Sequence, residues 1–393
     1  MPSPSSPFHA LHAALQSQVD RGFLSGVSTA LLRGREVVDT FVCGQADIEA
    51  KVPLREDHIF RAFSNTKLVT SCAVLLLVED GKVSLDDPIA RYLPQFASPQ
   101  VLRPGATHIG DVEPAQRPIT VRHLMTHTSG LGYGAFDPGT VLFNAYTQAA
   151  VHNPLLSQTQ FIDKLAALPL GFQPGDRWEY SLATDVLGVL VEVVSGQRLG
   201  DFFAARIFGP LGMVDTAFHV PQDKLGRLAA LYSGVDLMDP LKPGLNRMEN
   251  VPFPGAFLSP ALRQSGGGGL VSTLGDQVRL VQSLMPGGPT LLKPETIADM
   301  GRSHIAQGQF VQFPNMPANP GRVFGLGSSV LDVPGKFDPP NSTNEVSWGG
   351  LAGTVWWINP RLNIAGVLMT QRYFGFGNPY TFEFRHAAYR ALA

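Results

Sequence analysis

The stretch FSNTKLVTSCAVLLLVEDGKV, residues 63–83, places a serine directly before a long apolar segment and a lysine three residues further on. Residues 68–78 are mostly apolar and contain neither glycine nor proline, and this segment is longer than an ordinary strand. The pattern predicts a buried helix over residues 65–79, which ends near Gly81.

Ser64 and Lys67 lie three residues apart, so a helix brings them onto one face. A charged lysine inside a core is costly without a partner, and a lysine beside a hydroxyl is a candidate base. The hydroxyl of Ser64 then becomes a candidate nucleophile. Two other interpretations stay open at this point: Ser64 can simply cap the helix, and Lys67 can extend its charge out of the core.

Composition and charge limit the class of protein. The chain has 393 residues, with 44% hydrophobic and 16% charged residues and a net charge of −2. Its length predicts a two-part unit, and its charge gives no reason to expect nucleic-acid or membrane binding. Cys43 and Cys72 show neither a disulfide framework nor metal-type spacing. Residues 1–22 are typical of a polar arm and an amphipathic helix rather than a signal peptide, so we expect a cytoplasmic enzyme.

The order of the elements indicates an α+β fold. Strands are predicted at 27–32, 36–42, 353–358 and 364–370, and helices at 159–167, 181–195, 199–207, 274–285 and 380–392. Because strands occupy both ends of the chain, we expect residues 1–96 and 266–393 to form an α/β domain with an antiparallel sheet. Residues 97–265 are predicted to form an inserted, mainly helical domain, with a loop-rich part at 233–262.

Three further patterns give no support for a metal site, a phosphate-binding loop or an α/β-hydrolase. His123 and His127 have the i, i+4 spacing of a zinc site, but the metalloprotease glutamate and a third ligand are missing, so we expect a helix end there and no metal. The glycines at 266–269 lack the Walker lysine, which favours close backbone packing or a loop lining a cleft. No serine matches G-x-S-x-G, which weighs against an α/β-hydrolase.

Two further segments carry candidate site residues. Tyr180, in PGDRWEYS, stands at a predicted helix start, where its hydroxyl can either meet water at a packed interface or point into a cleft. Trp348, Gly349 and Gly350 precede a predicted strand. A glycine pair there lets a ligand or another backbone approach closely.

Taken together, Ser64-x-x-Lys67, Tyr180-Ser181 and Trp348-Gly349-Gly350 resemble the serine β-lactamase and penicillin-binding-protein superfamily. The class C-like family VIII carboxylesterases are the most similar branch, and HLMTHTSGL, PGDRWEYS and GGGGLVSTLGD resemble it as well. The resemblance covers residues 20–372. It implies a β-lactamase-like fold with the active site in the cleft between the two domains.

The resemblance also implies roles. Ser64 is expected to be the nucleophile, with Lys67 and Tyr180 sharing the general-base work. The backbone N–H groups of Ser64 and Leu351 are expected to form the oxyanion hole. The residues expected to contact the substrate are Trp348, Gly349, Gly350 and Leu182.

Two departures from the superfamily pattern point to the substrate. The β-lactamases carry Tyr-x-Asn and Lys-Thr-Gly, whereas this chain has Leu182 and Trp348 where the Asn and the Lys stand. We therefore predict a serine esterase for small short- to medium-chain esters, without a cofactor. A β-lactamase, a D-alanyl-D-alanine peptidase, an acyltransferase and a non-catalytic ligand-binding homologue remain alternatives, and the sequence does not predict the oligomeric state.

Overall fold

The structure is a computed structural model, and it describes residues 6–237, 239–314, 316, 318–375 and 378–392. The helices are α1 (His9–Asp20), α2 (Thr66–Glu79), α3 (Val121–Met125), α4 (Val141–Gln148), α5 (Gln158–Ala166), α6 (Ala183–Ser195), α7 (Leu199–Phe203), α8 (Gly209–Leu211), α9 (Leu274–Ser283), α10 (Pro294–Met300) and α11 (Pro379–Leu392). The strands are β1 (Gly26–Arg33), β2 (Glu36–Asp47), β3 (Val52–Pro53), β4 (Phe60–Arg61), β5 (Gln100–Leu102), β6 (Val112–Pro114), β7 (Leu231–Gly234), β8 (Leu245–Met248), β9 (Val271–Ser272), β10 (Arg322–Phe324), β11 (Ser329–Leu331), β12 (Val346–Gly349), β13 (Val355–Asn359), β14 (Ile364–Thr370) and β15 (Arg372–Tyr373).

Both ends of the chain build one antiparallel sheet, which confirms the predicted fold class. Its eight strands run in the order β10-β11-β12-β13-β14-β1-β2-β3. The seam between the two ends is the antiparallel pair β1 and β14, with Val27 opposite Thr370. This pairing joins segments more than 300 residues apart, so the central segment is an insertion, in chain order, between two parts of the same sheet.

Side chains alternate between the two faces of β1, as a strand with both faces covered requires. Val27 and Leu31 pack in the apolar cluster that contains Phe384 of α11, together with residues of α1. Ala30 and Leu32 point to the larger core that contains α2 and α9. The sheet is therefore a middle layer, and α2 lies in the core on one of its sides.

The central segment is mainly helical, with α3 to α8 and four short strands. Two of these strands, β7 and β8, pair with each other, although the sequence predicted only loop at 233–262. β7 also runs parallel to β15, so its partner lies far along the chain. Strands this short carry too few residues to show a period in the sequence. The division at residues 96 and 266 stays our proposal.

The segment around Ser64 begins as a short 3-10 turn over Phe63–Asn65 and continues as α2. Phe63 adopts a positive φ of 44°, a conformation that bulky residues rarely take. Neither the turn nor α2 has a side-chain cap, so capping does not explain Ser64. No helix in the described residues is long and apolar enough to span a membrane.

Candidate active site

Ser64, Lys67 and Tyr180 come together in the structure. The Tyr180 hydroxyl donates to Ser64 Oγ at 2.7 Å, and Lys67 Nζ donates to the same oxygen at 3.3 Å. Ser64 lies on the 3-10 turn, Lys67 one helical turn later on α2, and Tyr180 just before α6. One hydroxyl thus faces two groups that can exchange a proton with it.

Lys67 is buried, with 2% of its surface exposed, so its charge does not extend out of the core. Its Nζ donates to the Gly267 carbonyl oxygen at 2.6 Å and lies 4.7 Å from the centroid of the Tyr180 ring. Within the described ranges no carboxylate forms an ion pair with it. Lys67 Nζ is therefore held between Ser64 Oγ and the Gly267 carbonyl oxygen, beside the Tyr180 ring.

The glycine-rich segment 266–269 packs against this lysine. Besides Gly267, the Gly266 carbonyl oxygen accepts from Thr70 Oγ1 at 2.7 Å. A Cβ on Gly267 would lie 2.3 Å from Asp185 Oδ2 and 3.4 Å from Lys67 Nζ. Close backbone packing, one of the two interpretations left open by the sequence, explains Gly266, where a Cβ would lie 2.8 Å from the Thr184 carbonyl oxygen.

The predicted oxyanion donors lie on two segments that touch each other. The Gly350 N–H donates to the Thr354 carbonyl at 2.7 Å, and Thr354 Oγ1 donates to the Ala62 carbonyl at 3.2 Å. A Cβ on Gly350 would stand 2.3 Å from the Ala62 oxygen. Glycine is therefore needed here because another backbone approaches. In the part of the chain that the structure describes, the N–H groups of Ser64 and Leu351 have no acceptor.

Aromatic rings surround Tyr180, and we call this group the Tyr180 cluster. Its members are Tyr133, Phe136, Trp178, Tyr180, Phe313, Phe324 and Trp348. The Trp348 ring centroid lies 5.5 Å from that of Tyr180, and the Tyr133 ring stacks on Tyr180 at 5.2 Å. Trp348 thus lies beside Tyr180, and its contact with the substrate stays a prediction.

Leu182 does not join this cluster. Its side chain is only 3% exposed and belongs to the main hydrophobic core, and its N–H donates to the Gly132 carbonyl at 3.0 Å. Leu182 is the first residue after Ser181 and leads directly into α6, whose start is buried. Its side chain packs with the core at the start of α6, and contact between Leu182 and the substrate stays a prediction.

The sequence predicts only a helix end around His127, but the structure places this residue next to the site. Its Nδ1 accepts from the Ser181 N–H at 3.3 Å and lies 3.0 Å from Ser181 Oγ. Burial and the nearby charge of Lys67 hold the pKa of His127 well below its usual value, so the ring is neutral. His127 thus fixes the segment that presents Tyr180.

His123 has a different task, so the two histidines do not act as a pair. It forms a reciprocal cap with Thr120 at the start of α3. α3 ends at Met125, and His127 has a φ of 56°, outside helical geometry. The only signal for His127 in the sequence was its place in HLMTHTSGL, since the contact with Ser181 joins residues 54 apart.

A second apolar group lies on the other segment next to Ser64, and we call it the Phe63 cluster. It contains Ile59, Phe63, Val220, Leu231, Ala256, Phe257, Val271 and Ala352, with Leu351, Phe253 and Tyr373 among the partly buried residues that pack on it. Phe63 and Phe257 meet edge to face, with ring centroids 5.6 Å apart. Ser64 therefore follows one cluster in the chain and is hydrogen-bonded to a member of the other.

An antiparallel sheet built from both chain ends, with a helical segment inserted, defines the β-lactamase-like class of folds. The sequence model of the Beta-lactamase family matches residues 11–389, and the chain belongs to this family.

Relatives whose activities are named align with most of this chain. Esterase EstB of Burkholderia gladioli is 33% identical, covering 93% of this chain and 91% of its own. Acyltransferase calJ of Penicillium decumbens is 32% identical, covering 88% and 84%. The solved structure of EstCE1, a hydrolase with promiscuous acyltransferase activity, superposes with a TM-score of 0.84 at 28% identity and covers 98% of both chains. These similarities support a serine hydrolase that acts on esters.

Proposed function

We propose that this protein is a carboxylesterase that cleaves short- to medium-chain esters through an acyl-enzyme on Ser64. The observation that carries the proposal is the double contact of Ser64 Oγ, with Tyr180 at 2.7 Å and with Lys67 at 3.3 Å. The similarity to Esterase EstB supports the reaction type.

Acylation begins with the transfer of the Ser64 proton to the Lys67–Tyr180 pair. The 2.7 Å separation of the two hydroxyl oxygens is short enough for direct transfer once Tyr180 is deprotonated. Lys67 Nζ lies 4.7 Å from the centroid of the Tyr180 ring, and its hydrogen bond to the Gly267 carbonyl oxygen holds it in place. The serine oxygen then attacks the ester carbonyl carbon.

The tetrahedral oxyanion is stabilised by the free N–H groups of Ser64 and Leu351. On collapse, the bond between the carbonyl carbon and the alcohol oxygen breaks, and Tyr180 returns its proton to the leaving alcohol. Water, deprotonated by the same pair, attacks the acyl-enzyme, and the carboxylic acid leaves as Ser64 recovers its proton.

The surroundings of Tyr180 favour an uncharged group of the ester over a β-lactam carboxylate. Trp348 stands where the β-lactamases carry a lysine, and its ring covers apolar surface. Two arginines that could have supplied a replacement cation are engaged elsewhere. Arg177 pairs with Glu179 at 2.9 Å, and Arg361 donates to the Asn341 carbonyl at 2.8 Å.

A second candidate function is acyl transfer to an alcohol other than water. The names of calJ and EstCE1 favour it, and the rings of the Tyr180 cluster offer an apolar surface to an incoming alcohol. Hydrolysis of nitrophenyl butyrate in the presence of 1-butanol separates the two. An acyltransferase forms butyl butyrate as the main product, whereas an esterase forms mainly butyrate.

The proposed function is tested by labelling and turnover on one preparation. A fluorophosphonate is expected to label Ser64 stoichiometrically, with the modified peptide located by mass spectrometry, and nitrophenyl esters of increasing chain length are expected to be hydrolysed. The exposed Ser84, changed to alanine, serves as the matched control and keeps both properties. Labelling at another residue, or the absence of ester turnover, overturns the proposal.

A further inference from the structure

Arg61 lies three residues before the proposed nucleophile, on the side of the Phe63 cluster. Its strand, β4, pairs with β9, and its guanidinium carbon is 6.0 Å from the Phe257 ring centroid. Phe257 in turn meets Phe63, the residue just before Ser64. Three residues of chain span at most about 10 Å, so the backbone of Arg61 lies within that distance of the backbone of Ser64.

The guanidinium of Arg61 is only partly satisfied. Its Nη1 donates to the Ala229 carbonyl at 2.8 Å and lies 3.5 Å from Gln371 Oε1. In the chain as described, Nε and Nη2 have no acceptor, and no carboxylate pairs with this arginine. Burial lowers the pKa of Arg61 to about 10, which still leaves the group charged near neutral pH.

The other charged groups near Arg61 do not provide a counter-charge for it. Arg247, the charged neighbour of Arg61, is a cation and repels it. The carboxylates close to that arginine, Asp47 and Glu49, are its own partners, at 2.8 and 3.0 Å. Arg61 is therefore a half-buried cation with free donors and no counter-charge.

Arg372 shows what a purely structural arginine without a carboxylate looks like in this protein. Its Nη1 donates to the Phe23 carbonyl and its Nη2 to the Pro240 carbonyl, so both ends of the fork are satisfied. Its side chain is buried, with 3% of the residue exposed. Arg61 differs because Nε and Nη2 of its guanidinium have no acceptor among the described residues.

We propose that Arg61 binds a carboxylate carried by the ester substrate, and that the preferred substrates are esters with a second, ionised acid group beyond an apolar spacer. This inference rests on the proposed esterase function. A planar guanidinium with two free donors matches a carboxylate, and the rings of the Phe63 cluster cover the spacer. The carboxylate can belong to the acyl half or to the alcohol half of the ester.

The experiment compares charged esters with neutral esters of the same length. For the acyl half, the mono-nitrophenyl esters of glutarate, suberate and sebacate are compared with the same nitrophenyl esters in which the second acid group is a methyl ester. For the alcohol half, 4-butyryloxybenzoate is compared with its methyl ester. The wild-type protein is expected to prefer the acid in one of the two arms, and that arm identifies the half that carries the carboxylate.

Arg61→Met is expected to lower kcat/KM for the preferred acid by at least about tenfold, as loss of a charge-assisted hydrogen bond does, and to change the neutral ester less than about threefold. Arg61→Lys is expected to retain part of the preference. Arg361→Met, on the exposed turn between β13 and β14, is the matched control and is expected to leave both rates unchanged. Turnover of the neutral ester also reports whether Arg61→Met has folded.

Equal losses for acid and neutral esters in Arg61→Met, no loss for either, or no wild-type preference in either arm overturns the inference. If the wild-type protein cleaves none of these esters, the proposed function fails, and binding decides the inference separately. Calorimetry with suberate monomethyl ester then compares Ser64→Ala with Ser64→Ala/Arg61→Met. Binding that is at least about tenfold weaker in the double variant supports the anion site, and equal binding overturns it.

Discussion

The Tyr180 cluster and the Phe63 cluster both reach Ser64, but they differ in the chemistry that they offer. The first brings a phenol and a buried ammonium to Ser64 Oγ, among rings that carry no other charge. The second contributes the Leu351 N–H and lies beside Arg61, a cation for which the described residues supply no counter-charge. In the function that we propose, the first cluster handles the proton and the second holds negative charge.

The largest expected effect comes from removing the group at which the clusters meet. Ser64→Ala is expected to lower kcat for nitrophenyl butyrate by at least about 10⁴-fold, because the loss of a nucleophile removes the covalent route. The free energy of unfolding is expected to change by less than about 1 kcal/mol, since Ser64 caps no helix. Steady-state kinetics and urea unfolding measure the two, and retained turnover places the nucleophile elsewhere.

The next effect tests whether the Tyr180 cluster acts as one proton-handling unit. Lys67→Ala and Tyr180→Phe are each expected to lower kcat by about 10³-fold, because both act on the Ser64 proton. The double variant is expected to be little slower than either single variant, since groups that work together give non-additive losses. A double-mutant cycle on kcat measures this, and fully additive losses argue against a shared proton.

The substrate prediction follows from the same cluster. A β-lactam carboxylate next to Trp348 lacks a partner, which costs several kcal/mol, or about 10³-fold in rate. We expect kcat/KM for nitrophenyl butyrate to exceed that for nitrocefin by this factor on one preparation. Arg61 does not remove the difference, because a β-lactam carries its carboxylate next to the ring being opened, without a spacer. Equal or faster nitrocefin turnover means that the protein is a β-lactamase.

Local patterns predicted the large elements of the fold well. The apolar segment after Ser64 became α2, and the predicted strand at 364–370 is β14 with the same bounds. Helix α9 begins at Leu274 as predicted, with Thr273 accepting from the Asp276 N–H, while the Asp276 carboxylate accepts from Thr216, 60 residues away. Such details depend on partners that lie far along the chain, and no local pattern shows them.

The candidate site divides in the same way. Ser64 and Lys67 lie on one turn, so their spacing alone predicted that they meet. The contact between Tyr180 and Ser64 spans 116 residues, and only the resemblance to a family predicted it. The burial of Leu182 follows from the packing of α6, which the sequence did not predict, and Arg61 was missed because a missing counter-charge is visible only in three dimensions.

A smaller effect concerns the close approach on the Phe63 side. In Gly350→Ala the new methyl group would meet the Ala62 carbonyl, so the segment that carries the Leu351 N–H has to move. Loss of one oxyanion donor raises the barrier by about 3 kcal/mol, so we expect kcat to fall by about 10²-fold. Gly275→Ala is the matched control: its Cβ meets no atom within 4 Å, and helix α9 is expected to gain up to about 1 kcal/mol. Equal kcat for the two variants contradicts the assigned role of Gly350.

The smallest effect is a pH dependence of stability on the Tyr180 side. His127 is neutral in the folded protein because burial and Lys67 lower its pKa, whereas the unfolded chain binds a proton near the ordinary value of 6.5. Below that pH the unfolded state takes up the proton that the folded state refuses, so stability is fully present above 6.5 and declines as the pH falls. For His127 alone the loss is about 1 kcal/mol between pH 6.5 and about pH 5.5.

His127→Asn tests this assignment, since an amide oxygen can still accept from the Ser181 N–H but does not titrate in this range. We expect the variant to be less stable at about pH 8 and to lose less stability on acidification than the wild type, by about 1 kcal/mol. His58 and His123 also have lowered pKa values because of burial, and their share of the slope remains in both proteins. The difference between the two slopes, from urea unfolding at both pH values, therefore isolates His127. Identical slopes would show that protonation of His127 does not contribute to the pH dependence of stability.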